Sequence, residues 1–536
     1  MKKTAQHVSS VILLLLIISF GAILRSQNIS FPAIGYHNMK ENEYLSMAQE
    51  MKRTGDFLTK RVYFYNAFDQ DPGIIRNSGI PLFPYQILGA WNVFGENLWG
   101  ARVVNVIFGV LGIVIIFCIS RLFFYNLSIC LFASFLLAVM PLAVFFSHNL
   151  QPETSALFFM LLGSFFYLRY ASLPEKTHSL LWGGACFLMA GSYQYNFLIG
   201  ILPCLCCFPY GLWRKDGKTL FQFFVNVSLP YAIFIFLVLG LARKGGWEFQ
   251  MPEPQNLFRI FSPAYWQSYG VTIWRYAVSE NFTIGVVILA FLGLLRACYK
   301  PRNLVQRYSM GWAIALVLYG MVFPDALYRQ NYYQMPLVLF VCISVSYAIF
   351  SLSELLRKIT ARDSFIFLAL IVLSVSAPLI KSSIVRMQTT VFYGLDAAGA
   401  SLKEFTKPDE RVFLFAHAQG SGIARYASRY MGWVDNLDDF KDKEKRFGIR
   451  YVCFYPAEFA HKLKTSDPEL FEYIQAQYHL KEAGLIKEPQ QVFYLILGKG
   501  APAQGKGFLE ELTGRIQLMT IYQVLGKYVF FYTIRP

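Results

Sequence analysis

Long apolar runs separated by short basic loops constrain this chain's fold more than any single motif. A run of about 20 apolar residues is long enough to cross the hydrocarbon core as a helix. Lipid offers no partner to backbone N–H and C=O groups, so each run must satisfy its own. Candidate spans fall at Val11 to Leu24 and at about 99–120, 128–146, 154–169, 180–195, 196–213, 220–242, 281–298, 309–323, 332–352 and 364–381. The expected fold is a polytopic α-helical membrane protein of about eleven transmembrane helices. Pro81 to Phe94 is too short to cross and is expected to lie in the interface or to re-enter. Lys2 and Lys3 precede the first run with no clear small-residue cleavage site, which suits a retained span with a cytoplasmic N-terminus.

Basic residues cluster in the loops expected inside: Arg121; Arg169 and Lys176; Arg214, Lys215 and Lys218; Arg296, Lys300, Arg302 and Arg307; Arg357, Lys358 and Arg362. The positive-inside rule places these loops in the cytoplasm of a multi-pass protein of the cell (plasma or inner) membrane. Residues 25–98, 147–153, 243–280 and 324–331 then face outward, as does everything after about 382.

The chain divides into a membrane part, 1–381, and a small extracytoplasmic α/β domain, 382–536. Strands are expected at 411–418, 450–455, 492–497 and 528–534, and helices at 394–405, 423–431, 437–447 and 469–478. There is no internal repeat and no low-complexity linker.

Charge excludes less than it suggests. The net charge is +16, but the cations sit largely in the topogenic loops, so no nucleic-acid partner is implied. All the cysteines but Cys453 lie in apolar runs, which excludes a disulfide framework. Cys204, Cys206 and Cys207 sit among Leu and Phe and suit packing better than metal.

Candidate site residues cluster on the outward face. Residues 41–53 have helical spacing, with Glu41, Tyr44, Leu45 and Ala48 on one face and Gly55 as terminator. Glu41 in the first turn is a candidate base, with helix capping as the structural alternative. Glu43 points off the apolar face. Gln151-Pro152-Glu153 opens a span, and Glu153 is a second carboxylate at the bundle mouth. Arg102 and Arg329 are candidate anion-binding cations that could equally be structural or snorkelling. His148 reads as structural, and His37 could assist the base.

In order along the chain, these residues resemble the GT-C membrane glycosyltransferases, in the branch of the protein O-mannosyltransferases and the lipid A aminoarabinose transferase. That family shows Asp-Glu, a Tyr three residues on, an Ala four beyond, and Gly-Asp after the helix; Glu41, Tyr44, Ala48 and Gly55-Asp56 match. Pro81, Tyr85 and Phe94-Gly95 match the following short helix, then Arg102, then Pro141, Ser147 and Glu153, then Tyr332-Tyr333. The chain departs from the family at three places. Lys40 stands where the family has its catalytic Asp, Ile80 where the aminoarabinose transferases have Lys, and Gln330 where a His is common. Either Glu41 or Glu43 takes over as base, or the chain is inactive.

The resemblance implies transfer of a sugar from a polyprenyl-phosphate donor to an acceptor hydroxyl, with inversion. The acceptor would be a glycolipid, polysaccharide or protein, and membrane lipid is a further partner. Glu41 would deprotonate the acceptor. Arg102 or Arg329 would stabilise the leaving phosphate, and Glu153 would orient the acceptor or a bound divalent cation. Tyr44, Tyr85, Tyr332 and Tyr333 would line the sugar site. The segment 243–280, with Trp247, Glu248, Pro252, Pro254, Tyr265 and Trp266, would close over the donor or form an interfacial belt. No phosphate-binding loop or dinucleotide fingerprint occurs, so no nucleotide cofactor is expected. A transporter or flippase of a lipid-linked substrate is the competing class.

Overall fold

A computed structural model describes every residue except 1, 77–78, 175, 212–216, 248–255, 300–302, 361–363, 489, 501–507 and 509–513. Arg214, Lys215, Glu248, Pro252, Pro254, Lys300, Arg302 and Arg362 therefore lie outside the described residues.

The membrane part is built from α1 (Lys2–Ser26), α2 (Asn38–Thr54), α3 (Leu82–Phe94), α4 (Leu98–Phe123), α5 (Leu127–Val139), α6 (Pro141–His148), α7 (Glu153–Ser172) and α8 (His178–Tyr193). It continues with α9 (Leu229–Gly245), α10 (Pro263–Arg275), α11 (Ile284–Cys298), α12 (Leu304–Val322), α13 (Val338–Thr360) and α14 (Phe365–Thr389). Helix falls at all the expected spans, but fewer meet the physical requirement for crossing. Among the described residues, six helices are long and apolar enough alone, and up to eight if each of two bent pairs counts as one span, by length and composition. At 1.5 Å per residue, the 16 residues of α8 cover about 24 Å, short of a hydrocarbon core of about 30 Å. The expected span 196–213 begins as a 3₁₀ turn over Tyr195–Gly200 and a single short helix, Ile201–Leu205. The short helix α3 is separate from the spans, as its length implies.

The break between α5 and α6, bent by 54°, has a local cause. Pro141 has no N–H to offer the Leu137 carbonyl. Arg25 of α1 fills the gap: its guanidinium donates to Leu137 O and Ala138 O at 2.9 Å each and to Ser147 Oγ at 3.2 Å. A cation that looks like the end of a span is thus a fully buried clamp on a broken helix. Close helix approaches depend on glycine. A Cβ on Gly293 would lie 2.0 Å from Ser344 O, and one on Gly183 would meet the Tyr167 ring at 2.2 Å.

The C-terminal part holds α15 (Leu395–Phe405), α16 (Gly420–Ala427), α17 (Leu437–Phe447), α18 (Glu458–Ser466) and α19 (Pro468–Gln477) around one seven-stranded sheet. The strands β1 (Val412–Ala416), β2 (Met431–Gly432), β3 (Tyr451–Tyr455), β4 (Tyr478–Lys487), β5 (Gln490–Lys499), β6 (Arg515–Val524) and β7 (Lys527–Arg535) run in the order β2-β1-β3-β5-β4-β7-β6. β1 pairs parallel with β2 and β3, and the remaining pairs are antiparallel. The four expected strands fall on β1, β3, β5 and β7. β4 and β6 were not anticipated, and the helix expected at 423–431 stops at Ala427, with Met431 already in β2.

The loop between α2 and α3 joins the two parts. Phe64 bridges to Met431 of β2, Met431 N donates to Tyr63 O at 2.8 Å, and Arg411 donates to Ala67 O at 2.7 Å. α16 packs on α2, where Arg425 Nε donates to Asn42 Oδ1 at 2.5 Å. The loop side of this joint forms one wall of the site.

Candidate active site

α2 has two working faces, and they serve different ends. Glu41, Leu45 and Ala48 turn inward. Leu45 and Ala48 pack with Phe83, Ile87 and Trp91 of α3, Ala101 of α4 and Leu150. On the other face Lys40, Glu43, Tyr44 and Met47, at helical spacing, line a cavity of about 1130 Å³. The loop between α2 and α3, the start of α7, the end of α8 and the Tyr332-Tyr333 turn complete its wall.

This division corrects the expectation for Glu41. Its side chain is 2% exposed and does not reach the cavity. Oε1 accepts Arg102 Nη2 at 2.8 Å, Arg102 Nε at 3.0 Å and Leu150 N at 3.1 Å. Arg102 also donates to Ile29 O at 2.9 Å and to Phe31 O at 2.5 Å, so it holds the chain leaving α1 as well. The two charges compensate each other where they are buried, so removing either one alone would be costly; with His148 they border a separate, much smaller hollow. Arg102 is likewise absent from the cavity.

Of the other expected residues, Tyr44, Glu153, Tyr332 and Tyr333 line the cavity. Tyr85 does not; its hydroxyl donates to Phe57 O. Arg329 is exposed and pairs with Asp325 at 3.3 Å, also away from the cavity. His148 is not in this cavity's wall; it borders a smaller hollow with Glu41 and Arg102.

The cavity's acids are Glu43, Asp69, Asp71 and Glu153. Glu43 Oε2 accepts Lys40 Nζ at 2.8 Å, and Oε1 accepts the Tyr65 hydroxyl at 3.2 Å. Burial, with the Glu43 charge beside it, keeps that phenol protonated well above its usual range. Glu153 Oε1 accepts Gln194 Nε2 at 3.3 Å, while its buried Oε2 has no partner among the described residues. An unsatisfied buried carboxylate oxygen is costly, and a donor arriving from a ligand would relieve the cost.

Three cations line the same cavity: Lys40, Lys60 and Arg76. Lys60 is almost fully buried, donates to Gly79 O at 3.0 Å, and lies 6.0 Å from the centre of the Trp247 ring. Burial lowers its ammonium to about 8. Its contact with Gly79 brings a lysine beside Ile80, where the chain departs from the aminoarabinose transferases. A lysine that arrives from twenty residues upstream leaves no trace in a linear motif. The spacing expectation puts Tyr44 with Glu41 and sets Glu43 apart; the structure instead groups Tyr44 with Lys40, Glu43 and Met47 on the cavity wall.

The donor set does not suit a divalent cation. Among the described residues no group of three His, Cys, Asp or Glu side chains could hold a metal ion, and the Lys40 ammonium already occupies one Glu43 oxygen.

A buried polar chain supports the Tyr332 turn. His37 Nε2 meets Asn331 Oδ1 at 2.9 Å, and Asn331 Nδ2 donates to Glu280 Oε2 at 3.1 Å. The Tyr36 hydroxyl donates to the same Glu280 oxygen at 3.2 Å. Because Asn331 turns its oxygen to His37, the ring must donate from Nε2. Burial lowers His37 to about 4, so the ring is neutral near pH 7.

Comparison with known proteins defines the class. Residues 78–241 match the family described as dolichyl-phosphate-mannose-protein mannosyltransferase. No curated protein matches the chain in sequence. Among solved structures, the archaeal oligosaccharyltransferase AglB from Archaeoglobus fulgidus, in complex with an inhibitory peptide and a dolichol-phosphate, superposes with a TM-score of 0.56 at 11% identity, over 93% of this chain and 75% of that one. ArnT from Cupriavidus metallidurans bound to undecaprenyl phosphate gives 0.52 at 15% identity, over 94% and 99%. The Archaeoglobus fulgidus oligosaccharyltransferase in complex with Zn and sulfate gives 0.54 at 12% identity, over 90% and 72%. The chain therefore has the GT-C fold of membrane glycosyltransferases, and it is a multi-pass membrane protein.

Proposed function

We propose that the chain transfers a sugar from a polyprenyl-phosphate donor to an acceptor hydroxyl, on the extracytoplasmic side of the cell membrane. The observation that carries this reading is a single large cavity with two carboxylates from different helices, Glu43 and Glu153, beside Lys40, Lys60 and Arg76. Glu43 takes the role first expected of Glu41. It accepts the proton of the acceptor hydroxyl as the oxygen attacks the anomeric carbon. The bond from that carbon to the phosphate oxygen breaks, the phosphate keeps the electron pair, and configuration inverts. Lys40 pairs with Glu43 at 2.8 Å and is partly exposed to the cavity, so it can follow the charge that grows on the phosphate. Lys60 and Arg76 supply the remaining positive field, in place of Arg102 and Arg329. Glu153 orients the acceptor through its unpartnered oxygen, and Tyr44, Tyr332 and Tyr333 flank the sugar. The acceptor class is a protein, glycolipid or polysaccharide.

The test uses purified protein in lipid nanodiscs with a panel of polyprenyl-phosphate sugars and candidate acceptors, read by mass spectrometry. Wild type and Glu41→Gln should both turn over per folded molecule, and Glu43→Gln should not. Full transfer by Glu43→Gln removes it as base. Export of lipid without sugar transfer replaces the enzyme reading with a transporter.

A further inference from the structure

A second hollow, of about 400 Å³, adjoins the cavity and shares Ile74 and Arg76 with it. Its remaining wall is Thr59 and the end of α9 with the turn after it, from Ala242 to Trp247. Three cations converge there from two separate elements: Arg76 from the loop between α2 and α3, and Arg243 and Lys244 from α9. Among the described residues no acid lines the hollow and none of the three cations forms an ion pair. Cations in the last turn of a helix complement its dipole, which accounts for Arg243 and Lys244 singly. It does not account for Arg76 arriving from another loop, nor for their position. These cations sit at the end of the bundle that carries the sheet, the outer face in the topology inferred from loop charge, where Lys and Arg are depleted.

α9 itself is unusual. Phe234 and Val238, one turn apart, line the main cavity. Ile233, Phe236, Leu237, Leu239 and Leu241 are exposed. The helix is apolar enough to span, yet it packs little against the bundle and borders the cavity on its lipid side. From Val238 to Arg243 is five residues, about 7.5 Å along the axis. An acyl or prenyl chain lying along α9 would therefore bring its terminal phosphate to the three cations.

We propose that this hollow is a phosphate-docking site at the lateral mouth of the cavity, distinct from the transfer centre. It receives the phosphate of a polyprenyl phosphate whose tail lies along α9. The inference rests on the lipid-linked donor reading and names where that lipid is held as it enters or leaves. Arg243 and Lys244 hold the phosphate at the mouth, and Arg76, shared by both hollows, passes it towards Lys60.

The test measures binding of undecaprenyl phosphate, the uncharged polyprenol and inorganic phosphate to the full chain in nanodiscs, by native mass spectrometry and isothermal titration. Wild type should prefer the phosphorylated lipid to the polyprenol. Arg243→Gln/Lys244→Gln should weaken that lipid at least tenfold and leave the polyprenol unchanged. Arg76→Gln, on a different element, should weaken it as well. A brominated polyprenyl phosphate should quench wild-type fluorescence more than that of Trp247→Phe. Unchanged lipid affinity in the double variant overturns the site, as does quenching that ignores Trp247. Inorganic phosphate binding that displaces the lipid with equal affinity assigns the hollow to free phosphate and overturns the lipid assignment. Loss of transfer in Glu43→Gln with lipid binding intact is read separately, so this proposal can fail while the transferase reading stands.

Discussion

The pairing of Glu41 with Arg102 yields a decisive prediction, because it separates a structural carboxylate from a catalytic one. Both side chains are about 2% exposed, and the guanidinium makes four short contacts, two to Glu41 and two to backbone carbonyls. Glu41→Leu leaves the Arg102 charge buried without a counter-charge, and Arg102→Met does the same to Glu41. Breaking such a pair from either side costs about 3–5 kcal/mol, a large share of a folding free energy of roughly 5–15 kcal/mol. The double variant buries no uncompensated charge, so its cost should fall short of the sum by on the order of 0.5–3 kcal/mol. SDS unfolding in mixed micelles measures all four corners of the cycle. Transfer per folded molecule, measured on Glu41→Gln, should stay near wild type, since the amide still accepts from Arg102 and lies outside the cavity. Additive single and double variants would refute the coupling. Wild-type stability with transfer abolished in Glu41→Gln would return Glu41 to the chemistry.

Other perturbations reach separate parts of the molecule. Glu43→Gln should cut transfer by about 10²–10⁴, the range general-base catalysis supplies, with SDS unfolding unchanged. His37 has a folded value of about 4 against about 6.5 unfolded, so acid favours the unfolded chain. Its contribution, about 3 kcal/mol, is complete above pH 6.5 and lost as pH falls to 4; His37→Gln should flatten unfolding over that window. Lys60 titrates near 8, so donor affinity should rise as pH falls through 8, and Lys60→Gln should abolish that rise. Gly293→Val places a Cβ 2.0 Å from the Ser344 carbonyl and should cost at least about 1–3 kcal/mol in SDS unfolding, whereas Gly285→Ala, with only Ser376 Oγ at 3.8 Å, should be tolerated.

Span positions were legible because hydrophobicity over a window of some twenty residues is a one-dimensional property. The number that can cross was not, because α8 and the 196–213 region are short or broken in ways that mean hydropathy hides. In the sheet, β1, β3, β5 and β7 carry recognisable apolar runs, while β6 exposes most of its side chains along an edge and lacks the buried alternation that marks a strand. The site failed in a more instructive way. Amphipathic spacing grouped Glu41 with Tyr44, Leu45 and Ala48, of which Tyr44 lines the cavity; the apolar face of a helix seeks the core, and a carboxylate on that face is drawn in with it. Arg102, sixty-one residues away, made the burial tolerable, and no local pattern announces such a partner.

Lys40 is the residue that most invites the view that the chain is inactive. A lysine in place of an acid would empty the site of its base if nothing else changed. In the proposed reaction the acid sits one turn on, at position 43. Residues three apart on a helix share a face, so Glu43 reaches the cavity that Lys40 faces. The ammonium and the carboxylate meet at 2.8 Å, leaving the local charge near neutral instead of negative. A site with an acid at position 40 and no cation would repel an anionic phosphate unless a metal ion intervened. With Lys40 and Lys60 in place, the cavity can admit a phosphate with its own side chains. The exchange at position 40 is thus consistent with a retained reaction run on a different distribution of charge.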